Sequence, residues 1–137
     1  MNPEPEQVIK DEVVPVIEEK TVVYATIDDL SKIKVCIGTI LSADFIEGSD
    51  KLLKLSVDFG EQNESGVNTP RQILSGIRAY YPDPSVLVGI QTTFVTNLKP
   101  RMMMGLESNG MLYAGGNAGE LVLLKPDRPV APGTPMH

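Results

Sequence analysis

Along residues 52–60, Leu53, Leu55, Val57 and Phe59 fall on one side of an extended chain, and Lys54, Ser56 and Asp58 fall on the other. A period of two marks a strand with one face buried and one wet. The same alternation over residues 33–43, where Ile33, Val35 and Ile37 interleave with Lys34, Cys36 and Gly38, predicts a first strand. Gly38 in its middle predicts a bulge or a strong bend, the device that curls a small sheet. Residues 71–77 read as a third strand. Residues 91–98, QTTFVTNL, are rich in β-branched and aromatic residues and read as a fourth, which Pro100 is expected to end because proline donates no ladder hydrogen bond. Gly110 permits a tight turn into a fifth strand at 111–114. Residues 81–88 offer one or two helical turns after Pro82, with Pro84 in the first turn. A further short helix is expected to start at Asp28 or Asp29, whose side chain would cap the amides of residues 30–32. The loop 61–70, EQNESGVNTP, has the composition of an exposed hairpin excursion. All-β order with a short helix between the third and fourth of five strands predicts a five-stranded, partly open OB-fold barrel.

Size and charge then narrow the picture. A chain of 137 residues suits one domain with a real core and is too short for two ordinary ones. No apolar run approaches the ~20 residues of a membrane span. The acidic amino terminus lacks the basic-then-apolar order of a signal peptide, and the single cysteine, Cys36, excludes an internal disulfide and fits a reducing cytoplasm. The net charge of −6 sits entirely in residues 1–29, where eight acids face Lys10 and Lys20. From Leu30 onward ten basic residues balance ten acidic ones, so a small local basic patch is compatible with the composition. Residues 1–26 are expected to form an acidic flexible tail, broken by Pro3, Pro5 and Pro15. Residues 27–137 are expected to form the domain, with a C-terminal extension from about 115.

Chemistry of its own is not expected. The only histidine, His137, is the last residue, so no Ser-His-Asp or Cys-His arrangement is placed to reach a pocket. Ser108 lacks the preceding glycine of a nucleophile elbow. No phosphate-binding Gly-x-x-x-x-Gly-Lys-Ser/Thr loop and no paired Cys or His spacing of a zinc site is present. The reading is therefore of a non-catalytic chain with no metal and no cofactor.

The most particular stretch is 97–111, NLKPRMMMGLESNGM. By itself it is a hairpin connection in which Lys99 and Arg101 project charge near a strand end, and Met102, Met103 and Met104 plug an irregular gap in the core. As a string it resembles the signature of the tRNA-binding OB-fold module found as the C-terminal domain of bacterial methionyl-tRNA synthetases, in stand-alone tRNA-binding proteins and in the endothelial monocyte-activating polypeptide. Asn97, Leu98, Pro100, Arg101, Met103, Gly105, Ser108, Gly110 and Met111 fall in place. So do Ile27 to Leu30 with Lys32, Glu47 to Leu53, and Ser75-Gly76-Ile77-Arg78 with Tyr81-Pro82. Two positions depart: Met102 stands where the family has lysine, and Lys34-Val35-Cys36-Ile37 replaces Asp-Leu-Arg-Val.

The resemblance implies a tRNA-binding accessory module, cytoplasmic, that aids a methionyl-tRNA synthetase catalytic chain in cis or in trans. Lys99 and Arg101 would meet phosphates. Asn97 and Ser108 would either touch RNA or hold the loop, and Lys51, Lys54 and Arg78 would form a basic rim. Ser75, Gly76, Pro100, Met103, Gly105, Gly110 and Met111 would shape the motif. In the resembled family the C-terminal extension helps make a homodimer, which points to Leu121, Val122, Leu123 and Leu124 as interface; an extra strand within the same chain is the other reading of that run. A different class of reading is an assembly module that has kept the fold and the dimer and lost RNA affinity. A chaperone-like binder of structured RNA is a third.

Overall fold

The computed structural model of the protein describes residues 21–137, in two compact units that divide between Leu30 and Ser31. The tail expected over residues 1–26 thus falls largely outside the described residues. Helix α1 (Ile27–Ser31) begins one or two residues earlier than expected. Its cap is Thr26, whose Oγ1 accepts from the Asp29 amide at 3.0 Å while Asp29 Oδ2 accepts from the Thr26 amide at 3.0 Å. This reciprocal capping box satisfies two backbone donors at once, and Asp29 is its distal acid instead of the cap. No residue of α1 is buried.

The second unit is a barrel. Strands β1 (Val35–Phe45), β2 (Leu53–Asp58), β3 (Arg71–Ser75), β4 (Gln91–Val95) and β7 (Met111–Leu112) form one antiparallel sheet in the order β3-β2-β1-β4-β7. Because β7 packs beside β3, the sheet nearly closes, and the OB-type barrel predicted from the pattern is the observed fold. The period-two reading holds where it was clearest: Leu53, Leu55 and Val57 are fully buried, with Ile40, Ile73, Leu87 and Phe94 in the same core. Phe59 and Phe94 meet edge to face at 5.4 Å.

Several boundaries move. The first strand starts at Val35, so Ile33 lies before it and is exposed. The bulge is not at Gly38. The β1–β2 register shifts between Ile40 and Ser42, around Leu41. Gly38 instead marks a close approach, since a Cβ there would stand 2.5 Å from Val57 Cγ1 and 2.7 Å from Phe59 Cε1. The helical turns between β3 and β4 are two 3-10 turns, Arg78–Tyr80 and Pro84–Leu87. The second carries Pro84 in its first turn and is capped by Asp83, which accepts from the Ser85 amide. Strand β4 stops at Val95, well before Pro100, because Asn97 turns back to the chain preceding β1.

Two further features escape a strand-by-strand reading. A two-stranded hairpin, β5 (Arg101–Met103) and β6 (Leu106–Ser108), is inserted between β4 and β7. The proline-spaced end of the chain also pairs with the barrel. Ile37 donates to the Thr134 carbonyl, Gly133 to that of Ile37 and Met136 to that of Val35, which covers the stretch of β1 edge that β2 leaves free. Gln91 holds the approach by donating to the Val130 carbonyl at 2.7 Å and accepting from the Val130 amide at 3.0 Å. No helix among the described residues is long and apolar enough to cross a membrane.

Candidate nucleic-acid interface

The hairpin carries the site. Met104 (φ 54°) and Gly105 (φ 75°) are its two central residues, and positive φ at both makes a type I′ turn whose twist matches the flanking strands. Met103 faces Leu106 and Arg101 faces Ser108, while Met102 and Glu107 oppose each other on the other face. Met102 is 67% and Met104 53% exposed, so these two do not plug the core; of the three methionines only Met103 is half-buried. An interior that already closes around Phe94 and Leu55 leaves no gap for them.

Asn97 and Ser108 hold the backbone. The Asn97 side chain accepts from the Lys34 amide at 2.9 Å and donates to the Lys32 carbonyl at 2.7 Å. Ser108 is 5% exposed; its Oγ accepts from the Leu74 amide at 3.0 Å and donates to the Gly110 carbonyl at 3.3 Å, which ties β6 to β3. Of the two roles open to these residues, the geometry supports holding the loop. Lys99 and Arg101 stand exposed at the base of the hairpin, and among the described residues their side chains make no hydrogen bond or ion pair.

The rim residues divide. Arg78 is half-buried, with its guanidinium 4.2 Å over the Phe45 ring and a hydrogen bond from Nη1 to the Ser49 carbonyl. Its backbone amide donates to the carbonyl of Lys51, whose side chain is exposed. Lys54 on β2 is half-buried and has Asp44 as its cross-strand neighbour. Met104 reaches the same end of the barrel: its Cε would lie 3.5 Å from a Cβ on Gly48. The hairpin tip, Lys51 and Arg78 are thereby brought to one end of the barrel.

The remaining motif residues are scaffold. Ser75 ends β3 opposite Leu53, Gly76 lies in the bend after it, Pro100 precedes β5, and Gly110 turns the chain into Met111 at the start of β7. In the C-terminal run Leu121 and Leu123 pack on the core, while Val122 and Leu124 are exposed. Val122 pairs with Gly115, and the Leu124 carbonyl accepts from Thr92 Oγ1 at 2.8 Å.

One feature was not singled out from the sequence. Arg71 grips Glu61 through two bonds, Nε to Oε1 at 2.9 Å and Nη2 to Oε2 at 2.7 Å, and donates from Nη1 to the Thr96 carbonyl. The hydrogen bond lowers the Glu61 pKa against the opposing effect of burial and raises that of Arg71. The pair lines an open cleft of about 470 Å³ together with Thr69, Pro70, Gln72, Glu107 and Asn109. An acid and a base bracketing the 61–70 excursion were the available signal. No group of three or more His, Cys, Asp or Glu among the described residues is placed to hold a metal ion.

The "Putative tRNA binding domain" family model matches residues 35–135, which is the barrel with its hairpin and C-terminal segment. The methionine-tRNA ligase of Caldanaerobacter subterraneus subsp. tengcongensis is 41% identical over 117 residues, 85% of this chain but 17% of the ligase. The chain therefore spans about a sixth of the length of such curated relatives. Among solved structures, the methionyl-tRNA synthetase-related protein of Pyrococcus horikoshii superposes with a TM-score of 0.74 at 32% identity, covering 85% of this chain and all of that one. The chaperone CsaA of Bacillus anthracis superposes with a TM-score of 0.70 at 30% identity, covering 84% of this chain and all of that one.

Proposed function

We propose, because this chain belongs to the tRNA-binding domain family, that it captures tRNA and performs no chemistry itself. The observation that carries this reading is the family match across the whole barrel, together with Lys99 and Arg101, exposed at the start of the hairpin with side chains unpaired among the described residues. The two cations neutralise phosphates, and Lys51 adds charge at the rim. Asn97 and Ser108 act by holding the hairpin where those charges are presented. Four aromatic rings are exposed among the described residues, Tyr24, Phe45, Tyr80 and Tyr113, and the Arg78 guanidinium lies over that of Phe45; the reading is of contact mainly through RNA shape and backbone.

The relatives that are ligases suggest the setting: a module that raises the local tRNA concentration for a methionyl-tRNA synthetase catalytic chain, in cis or in trans, within the cytoplasm. Tethering a weak tRNA site to a catalytic domain helps through effective concentration alone. The outward Val122 and Leu124 suit a homodimer contact, while Leu121 and Leu123 serve the barrel. The test is fluorescence anisotropy of labelled tRNA at about 50 mM and about 200 mM salt, with a Lys99→Ala, Arg101→Ala double variant alongside. Binding should weaken roughly tenfold with salt if two phosphates are neutralised, and the variant should lose most of that slope. A protein that runs as a dimer yet binds no tRNA at low salt would instead be an assembly module. The specific observation favouring that second reading is the uncharged Met102 set against Glu107 on the outer face of the hairpin.

A further inference from the structure

The cleft beside the hairpin holds two polar side chains with no use inside the protein. Neither the Glu107 carboxylate nor the Asn109 amide has a hydrogen bond or ion pair among the described residues, although the Asn109 backbone is fixed by its bond to the Gln72 carbonyl and the Glu107 carbonyl by Gln72 Nε2. The Glu61–Arg71 pair cancels its own charge, so Glu107 is the one free charge on the lining. A carboxylate set against a polyanion is repelled unless a donor-rich group meets it. We propose that this cleft takes one unpaired guanine of the bound RNA, an inference that rests on the tRNA-binding reading and adds base recognition to it.

The chemistry singles out guanine among the four bases. Its Watson–Crick edge places two adjacent donors, N1–H and the N2 amino group, beside one acceptor, O6. Glu107 accepts from both donors and the Asn109 amide donates to O6. Adenine turns an acceptor N1 toward the carboxylate, and the pyrimidines lack the paired donors. Pro70, also on the lining, offers an apolar ring. Met102, the cross-strand neighbour of Glu107, then has a reason to be there. A lysine at that position would pair with Glu107 across the strands and occupy it, whereas methionine leaves the carboxylate free and adds polarisable apolar surface.

The experiment uses the full chain and stem–loop RNAs identical except for one unpaired loop nucleotide, G, inosine, A or U, at fixed low salt beside bulk tRNA. The G loop should bind about tenfold more tightly than the A loop, with inosine, which lacks the N2 amino group, between them. Glu107→Gln should abolish the preference, lowering affinity for the G loop and raising it for the A loop, where the carboxylate had met no donor. Met102→Lys should raise affinity for every loop while shrinking the preference. Equal affinity for all four loops by the unaltered protein, with tRNA still bound in a salt-dependent way, overturns the guanine site alone. So does an equal gain for all four loops in Glu107→Gln, since that would make Glu107 a simple repulsive charge. Failure to bind any loop or tRNA removes the tRNA-binding reading and this inference with it.

Discussion

At the scale of single residues, polar side chains near the hairpin divide into those consumed by the backbone and those left over. Asn97 spends its amide on Lys32 and Lys34, and Ser108 spends its hydroxyl on Leu74 and Gly110. Lys99, Arg101, Glu107 and Asn109 keep their side chains free among the described residues. Removing a group of the first kind strands a backbone donor. Ser108→Ala leaves the buried Leu74 amide without its acceptor and should cost about 1–3 kcal/mol, read from urea denaturation. Its tRNA affinity, measured well below the unfolding midpoint, should change little. Unchanged stability with lost binding would make Ser108 an RNA contact.

The element that departs furthest from ordinary choices is the β5–β6 hairpin. A type I′ turn favours Asn or Gly at its first central position because φ is positive there, yet Met104 occupies it. The side chain gains a reach toward Gly48 at the cost of backbone strain. Met104→Asn should therefore stabilise the protein by about 1 kcal/mol in a urea titration. A loss of stability would mean that the packing of Met104 on the Gly48 loop outweighs the strain. Gly38 shows the opposite case, a position where sterics leave no alternative to glycine because Val57 and Phe59 fill the space of a Cβ.

For the molecule as a whole, the C-terminal segment helps close the barrel and carries the proposed dimer contact. Leu121 and Leu123 complete the core, the chain from Val130 to Met136 lies along β1, and Val122 and Leu124 remain outside. Alternating burial over four residues allows one run to serve as an internal strand and as an external contact. A Val122→Asp, Leu124→Asp double variant should keep its unfolding midpoint while shifting from dimer to monomer in sedimentation velocity. Leu123→Ala should do the reverse, losing about 2 kcal/mol of stability and keeping its association state. If the aspartate variant sediments as the unaltered protein does, the dimer contact lies elsewhere.

Legibility followed the range of the forces involved. Leu53, Leu55 and Val57 could be assigned to one buried face from their spacing alone, because strand periodicity is a property of neighbouring residues. The same local logic, with the string around Asn97 to Met111, was enough for the barrel class and for the tRNA-binding domain family. Thr26 as the cap, Leu41 as the bulge and the exposure of Met102 and Met104 were misread, since each depends on which competing neighbour wins a given hydrogen bond or gap. The cleft was out of reach altogether. It joins Glu61 and Arg71 to Glu107 and Asn109 across two strands and a hairpin, and the return of residues 130–136 along β1 likewise spans almost the whole domain. The chain by itself thus determined the elements, the architecture and the candidate charges, all carried by local pattern. Only the tertiary structure decided which polar groups are consumed in holding the barrel and which remain free to meet a ligand, because that depends on distant partners competing for the same donors and acceptors.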